Sequence, residues 1–187
     1  VFETLIKQVS DAEQSVAPGK TDLTEATARA LFKLMAYKDE YEVARLYNGI
    51  EQKIAEQFEG GYQIRFHFAP PIMGEYKREF RPWMARGLKF LKNLKSLRGT
   101  ALDPFGYHAD RRDERRLAAD YQALLRELSK NLMPHNYQAA VQLAALPMSI
   151  RGYGPVKRKA ITACKQEEKE LLHKFRTSGS VQAGAAE

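Results

Sequence analysis

Apolar residues recur every three or four positions along most of this sequence, and that spacing is what most constrains its fold. Such spacing is typical of amphipathic helices, which collect apolar side chains on one face. It is present in the opening segment and again near residues 22–37, 43–58, 82–98, 117–128, 134–146 and 156–175. The pattern predicts a mainly α, multi-helix domain of about seven helices.

One short segment departs from the helical spacing. Residues 62–68, YQIRFHF, alternate apolar and polar side chains between a Gly-Gly pair and a Pro-Pro pair. Alternation bounded by such residues predicts a half-buried strand. Because one strand is not stable alone, it requires a pairing partner, which the sequence does not identify. We therefore expect one short strand or a small β element within the helical domain.

Composition excludes several classes of protein. The chain has 187 residues, 44% of them hydrophobic, yet no apolar run approaches the ~18 residues of a membrane span. It shows no charged-then-apolar leader, which favours a cytoplasmic globular protein without membrane contact. Cys164 is the only cysteine, and the four histidines occur in no zinc-binding spacing. We predict no metal site, no cofactor held by this chain alone and no catalytic residue, with Cys164 in the core.

Positive charge is concentrated in the middle of the chain. The formal net charge is +7, and residues 77–116 hold 12 basic and five acidic residues, whereas residues 1–76 hold eight and 12. The cluster at the end of this basic segment is Arg111, Arg112, Arg115 and Arg116. It fits three alternatives: a solvated face paired with nearby carboxylates, a surface that docks an acidic protein, or a nucleic-acid surface. No nucleic-acid motif is present, so the third is the least favoured.

Two arginines flank a second segment of interest, the turn GYGP at residues 152–155. Arg151 precedes it, and Arg158 follows in the first turns of the last predicted helix. Amide groups at a helix start, together with two arginines, could bind a phosphate or carboxylate. A proline near the start of a helix explains the same residues without a ligand. Anion binding therefore stays an alternative here.

The segment RGTALDPFGYH, residues 98–108, is rich in residues that fix backbone shape. We expect an ordered loop in which Asp103 caps a turn and the aromatic side chains of Phe105 and Tyr107 are buried anchors. A ligand or interface loop beside the four arginines is the alternative.

Four segments taken together resemble a known family. They are LFKLMAYKDEYEVARLY (31–47), YQIRFHFAPP (62–71), LRGTALDPFGYHADRR (97–112) and IRGYGPVK (150–157). In order and spacing they resemble the C-terminal domain, of unassigned function, of the indolepyruvate ferredoxin oxidoreductases, which are fused 2-oxoacid:ferredoxin oxidoreductases. The resemblance spans roughly residues 20–176. His108 departs from the smaller polar residue expected there, which argues against an essential role for it.

The resemblance implies a parent enzyme that oxidatively decarboxylates aryl 2-oxoacids to acyl-CoA with thiamine diphosphate, iron–sulfur clusters and coenzyme A. It implies that residues 1–16 are the helix leaving an upstream gamma-type catalytic domain, that 17–177 form the accessory domain and that 178–187 are a flexible tail. Implied partners are the upstream catalytic domains, ferredoxin or a second copy of the chain. No thiamine motif is present, so the parent's catalytic residues map onto no position here.

Overall fold

The computed structural model describes residues 1–37, 40–47, 50–58, 66–68, 78–80, 87, 90–91, 93–97, 100, 102–103, 105–107, 109–152 and 154–178. In chain order the elements are α1 (Phe2–Val16), α2 (Asp22–Met35), α3 (Glu40–Tyr47), α4 (Ile50–Gln57), β1 (Phe66–Phe68), β2 (Arg78–Phe80), a 3-10 segment (Leu94–Leu97), α5 (Ala109–Asn131), a 3-10 segment (Pro134–Asn136), α6 (Tyr137–Ala145), a 3-10 segment (Leu146–Ser149) and α7 (Gly154–Thr177). The expected mainly α fold with a small β element is confirmed.

The chain divides into two compact units. The accessory domain expected over 17–177 stays a prediction. The first unit comprises Val1–Ala36 and Glu114–Glu187, and the second comprises Tyr37–Asp113. Helix α1 belongs to the first unit and packs against α2. Its origin in an upstream catalytic domain stays a prediction. Of the tail predicted at 178–187, only Ser178 is among the described residues.

The core of the first unit is built from one face of each helix. The apolar residues of α5 that the spacing singled out are all buried, namely Leu117, Tyr121, Leu124, Leu125 and Leu128. Each buried leucine of this kind contributes about 1.5–3 kcal/mol relative to an exposed one. Leu5 and Val9 of α1 and Leu171 and Phe175 of α7 belong to the same core, to which buried residues of α2 and α6 also contribute. The periodic segment 156–175 predicts an apolar face that includes Val156, but Val156 is 65% exposed, so the buried face does not extend to that residue.

A buried carboxylate joins three helices of the first unit. Glu13 on α1 accepts hydrogen bonds from the backbone N–H groups of Leu23 and Thr24, at 2.8 and 2.9 Å, in the first turn of α2. The hydroxyl of Tyr137, on α6, donates to the same carboxylate at 2.7 Å. The first N–H groups of a helix have no partner within the helix, so Glu13 provides the cap. The N-cap residue of α2, Thr21, makes no side-chain cap bond of its own.

The second unit contains α3, α4 and the hairpin strands. Of the helix expected over 43–58, residues 43–47 are helical in α3 and residues 50–57 in α4, and residues 48–49 lie outside the described part. Strand β1 pairs antiparallel with β2, with Phe66 opposite Phe80 and His67 opposite Glu79. The unidentified partner of the predicted strand is thus Arg78–Phe80, a segment of three residues that is too short to show alternation.

The basic segment 82–98 was expected to be one helix. Within it, Gly87, Phe90, Leu91 and Asn93 are helical, and Leu94–Leu97 is a 3-10 segment. The side chain of Phe90 is 68% exposed. The described residues therefore agree with a helical segment that tightens into a 3-10 turn at its end.

Candidate functional site: the basic segments of α5 and α7

The four arginines of the middle segment lie in the first two turns of α5. Arg111 is half-buried, and its Cζ lies 5.7 Å from the centroid of the Tyr37 ring, a cation–π distance. Arg115 is exposed but has an interaction of its own. Arg112 and Arg116 are exposed, and no described residue forms a hydrogen bond or ion pair with either. Within the cluster, Arg111 and Arg115 therefore have partners in the chain, whereas Arg112 and Arg116 are available to contact another molecule.

The carboxylates near this cluster compensate only part of its positive charge. Glu114, expected among the partners of the arginines, forms an ion pair with Lys157 of α7 at 2.6 Å, and its side chain is only 12% exposed. This contact joins residues 43 positions apart in the sequence. No sequence pattern predicts this contact, because each residue belongs to an ordinary charged helix face.

Arg151 lies in the connection before α7 and is exposed. Lys33, on α2, contacts the 3-10 segment Leu146–Ser149. Its Nζ donates hydrogen bonds to the carbonyl oxygens of Pro147, at 2.9 Å, and Met148, at 3.0 Å. Burial, the positive charge of Arg151 and, less strongly, that of Lys157 lower the pKa of Lys33, although the Cys164 sulfur acts in the opposite direction.

Arg158, which the sequence grouped with Arg151, has different surroundings. It is exposed in the second turn of α7, and it has an interaction of its own. It lines a shallow, open groove along the helix surface with Lys159, Thr162, Lys165, Gln166 and Lys169. Because Lys165 is engaged by Asp120 and Glu168, only part of this groove's positive charge is uncompensated. The two arginines are thus not brought together by any contact that the structure shows.

The loop that follows the basic segment has the structural role expected for it. Asp103 is 4% exposed, and its Oδ1 accepts hydrogen bonds from the Phe105 N–H at 3.1 Å and from the Tyr41 hydroxyl at 3.0 Å. The rings of Tyr41 and Phe105 pack edge to face, with centroids 5.4 Å apart. Tyr107, also expected to be a buried anchor, is 66% exposed, so that part of the prediction was wrong. Tyr41 was missed, because it lies 62 residues from Asp103.

The remaining reactive side chains do not form a reaction centre within the described residues. Cys164 is buried, its thiol points to the Leu146 carbonyl oxygen at 3.7 Å, and burial raises its pKa. His135 and His173 are exposed, whereas His108 lies outside the described residues. No group of three or more potential metal ligands occurs among the residues that the structure describes.

Comparison with known proteins places the chain in a family. The model of a family of unknown function, DUF6537, matches residues 1–170. Because that match covers most of the sequence, the chain belongs to this family. Neither a curated protein nor a solved structure matches it. Within the described part of the chain, no helix is both long enough and apolar enough to cross a membrane.

Proposed function

We propose that this chain is the C-terminal accessory domain of a cytoplasmic indolepyruvate or related 2-oxoacid:ferredoxin oxidoreductase and that it acts through contact rather than chemistry. The observation that carries the proposal is the order and spacing of four motifs between residues 31 and 157. The thiamine diphosphate, iron–sulfur clusters and coenzyme A of the parent reaction would be held by other domains. The contact would be with those domains, with a second copy of the chain or with the acidic electron carrier.

The charge distribution favours the electron carrier among these partners. Arg112 and Arg116 are exposed and have no carboxylate partner among the described residues. Uncompensated surface cations attract an acidic protein during encounter and raise the association rate, an effect that salt screens. Arg111 and Arg115 contribute charge to the same helix, although each has an interaction of its own.

Charge reversal in the parent enzyme tests this role. The variant Arg112→Glu/Arg116→Glu is expected to lower ferredoxin-dependent turnover by about tenfold at low ionic strength, with the difference shrinking as salt is added. The matched control is Arg126→Glu/Lys130→Glu, because both residues are exposed on α5, have the same spacing and change the net charge equally. Turnover with a small uncharged acceptor should stay unchanged in both. Equal effects of the two variants, or no effect of either, would contradict carrier docking on these arginines.

The parentage has a separate test. The reading frame upstream of Val1 should encode a gamma-type oxidoreductase domain, and removal of residues 20–187 from that enzyme should impair assembly, stability or ferredoxin reduction. A truncated enzyme with full ferredoxin-linked turnover and unchanged oligomeric state would rule out the accessory role.

Two alternatives remain from the sequence. One is a module that binds the phosphates of coenzyme A through Arg151 and Arg158, which calorimetry of the chain with millimolar coenzyme A would detect. The other, less favoured, is a nucleic-acid-binding domain, which a gel-shift assay at moderate salt would detect. Neither alternative has a contact in the structure that favours it over carrier docking, since no contact brings Arg151 and Arg158 together.

A further inference from the structure

Ion pairs between α5 and α7 all have the same polarity within the described residues, with the carboxylate on α5 and the cation on α7. They are Glu114 with Lys157 at 2.6 Å, Asp120 with Lys165 at 3.5 Å and Glu127 with Arg176 at 2.7 Å. The partners rise in the same order along the chain, so the two helices run side by side in the same direction. The carboxylates of α5 are thus engaged by α7.

Asp120 has an alternative partner on its own helix. Arg116 lies four residues before it, and residues at that spacing are neighbours on a helix surface, where opposite charges pair with each other. In the structure Asp120 pairs with Lys165 and not with Arg116. Asp113, three residues before Arg116, is exposed and forms no ion pair within the described residues. Arg116 is thus left without a carboxylate in the described part of the chain, and its neighbour Asp120 is engaged by α7.

The ion pair of Lys165 with Asp120 is not what holds α7 in place. The two side chains are 34% and 42% exposed, and exposed ion pairs contribute little to stability. Buried apolar side chains of α7, among them Leu171 and Phe175, belong to the core of the first unit. The main consequence of the pair is therefore electrostatic, because it decides which cation Asp120 neutralises.

We propose that Lys165 is a positioning residue, which holds Asp120 away from Arg116 and keeps that arginine available to an acidic partner. Lys165 is itself oriented by Glu168, whose two carboxylate oxygens lie 3.0 and 3.1 Å from its Nζ. This inference rests on the carrier-docking role proposed for Arg112 and Arg116, and it names the residue of α7 that maintains their charge.

The first measurement needs no carrier. The side-chain Nε–Hε signal of Arg116 is recorded by NMR in the whole 187-residue chain at low ionic strength. In Lys165→Gln this signal should shift and its proton should exchange more slowly with water, because Asp120 is then free to pair with Arg116. The double variant Lys165→Gln/Asp120→Asn should return the signal to that of the unmodified chain. An Arg116 signal that Lys165→Gln leaves unchanged contradicts the proposal.

The second measurement is the KM for ferredoxin in the parent enzyme at low ionic strength. Lys165→Gln should raise this KM about twofold and leave kcat unchanged, because a pair between residues four apart on an exposed helix face forms only part of the time. The matched control is Lys169→Gln, since Lys169 is exposed four residues further along α7 and its replacement changes the net charge equally. The control should leave the KM unchanged. A similar rise in both variants contradicts the proposal.

Two double variants separate the position of the charge from its amount. Lys165→Gln/Asp120→Asn and Lys165→Gln/Glu168→Gln both restore the net charge, but only the first removes the carboxylate next to Arg116. The first should restore the KM and the second should not, so equal rescue by both contradicts the proposal. If the Arg116 signal changes as expected while the KM stays constant, the positioning by Lys165 is supported and carrier docking on Arg116 is contradicted.

Discussion

Glu13 shows how one residue determines the arrangement of its neighbours. Its side chain is fully buried and accepts hydrogen bonds from two backbone N–H groups of α2 and from two hydroxyls, those of Thr24 and Tyr137. Burial alone would raise the pKa of Glu13, but the four hydrogen bonds outweigh it and hold the pKa below its ordinary value near 4.5. Burial and the same carboxylate raise the pKa of Tyr137. The pair is therefore a carboxylate and a neutral phenol at neutral pH.

Replacement of Glu13 is the sharpest test of this arrangement. Glu13→Gln keeps the size of the side chain but turns one acceptor into a donor that faces N–H and O–H groups, so we expect a loss of about 2–3 kcal/mol in the free energy of unfolding. Glu25→Gln on the exposed face of α2 is the control and should change the free energy of unfolding by less than about 0.5 kcal/mol. Urea denaturation measures both. Similar stabilities of the two variants would show that Glu13 is not an essential cap.

The lowered pKa of Glu13 also gives a direction for acid sensitivity. A carboxylate whose pKa is lower in the folded chain stabilises the fold at pH values above its unfolded pKa, and this stability is lost as pH falls through the folded value. The stability difference between the unmodified chain and Glu13→Gln should therefore stay constant near neutral pH and shrink below about pH 4.5. Denaturation curves between pH 3 and 7 (roughly the range that carboxylate titration covers) check this. A difference that widened in acid would contradict the assigned charge state.

At the scale of the elements, the start of α7 depends on one glycine. Gly152 combines φ +93° with close contact to Val156, whereas Gly19, in the turn between α1 and α2, has φ +81° and open space around it. Both positions strain any residue with a Cβ, at a cost of about 1–2 kcal/mol. Only Gly152 adds a steric clash, because its Cβ would meet Val156 Cγ1 at 2.7 Å and Val156 Cβ at 3.1 Å.

This difference predicts an order of stabilities. Gly152→Ala should destabilise the chain by about 1–2 kcal/mol more than Gly19→Ala. The double variant Gly152→Ala/Val156→Ala should remove part of that excess, because it removes Cγ1 but keeps the Cβ of residue 156. Val156→Ala alone should cost little, since Val156 is 65% exposed. Thermal or urea unfolding of the four variants measures the order. If Val156→Ala restores none of the stability lost in Gly152→Ala, the clash with Cγ1 is not the cause.

At the scale of the whole molecule, the two compact units should respond separately to local damage. Asp103→Ala removes the acceptor of Tyr41 and Phe105 in the second unit, and we expect faster amide exchange in α3 and around residues 102–107. Amides of α1 and α2, in the first unit, should keep their protection. Hydrogen exchange with mass spectrometry measures both segments. Equal acceleration throughout the chain would mean that the two units open as one.

The sequence by itself determined the helical class and most of the core. Periodic leucines indicated the buried face of α5, and the turn chemistry of residues 98–108 indicated a loop organised by Asp103. These features could be predicted because helix periodicity and turn preference act over a few residues. The same local rules failed at Val156 and Tyr107, where exposure depends on what packs nearby.

Only the tertiary structure decided which distant side chains meet. Glu13 contacts Tyr137, Tyr41 contacts Asp103, and Lys33 reaches the carbonyl oxygens before Arg151. No local pattern marks these partners, because each pair is separated by 62 to 124 residues and each residue is ordinary for its own segment.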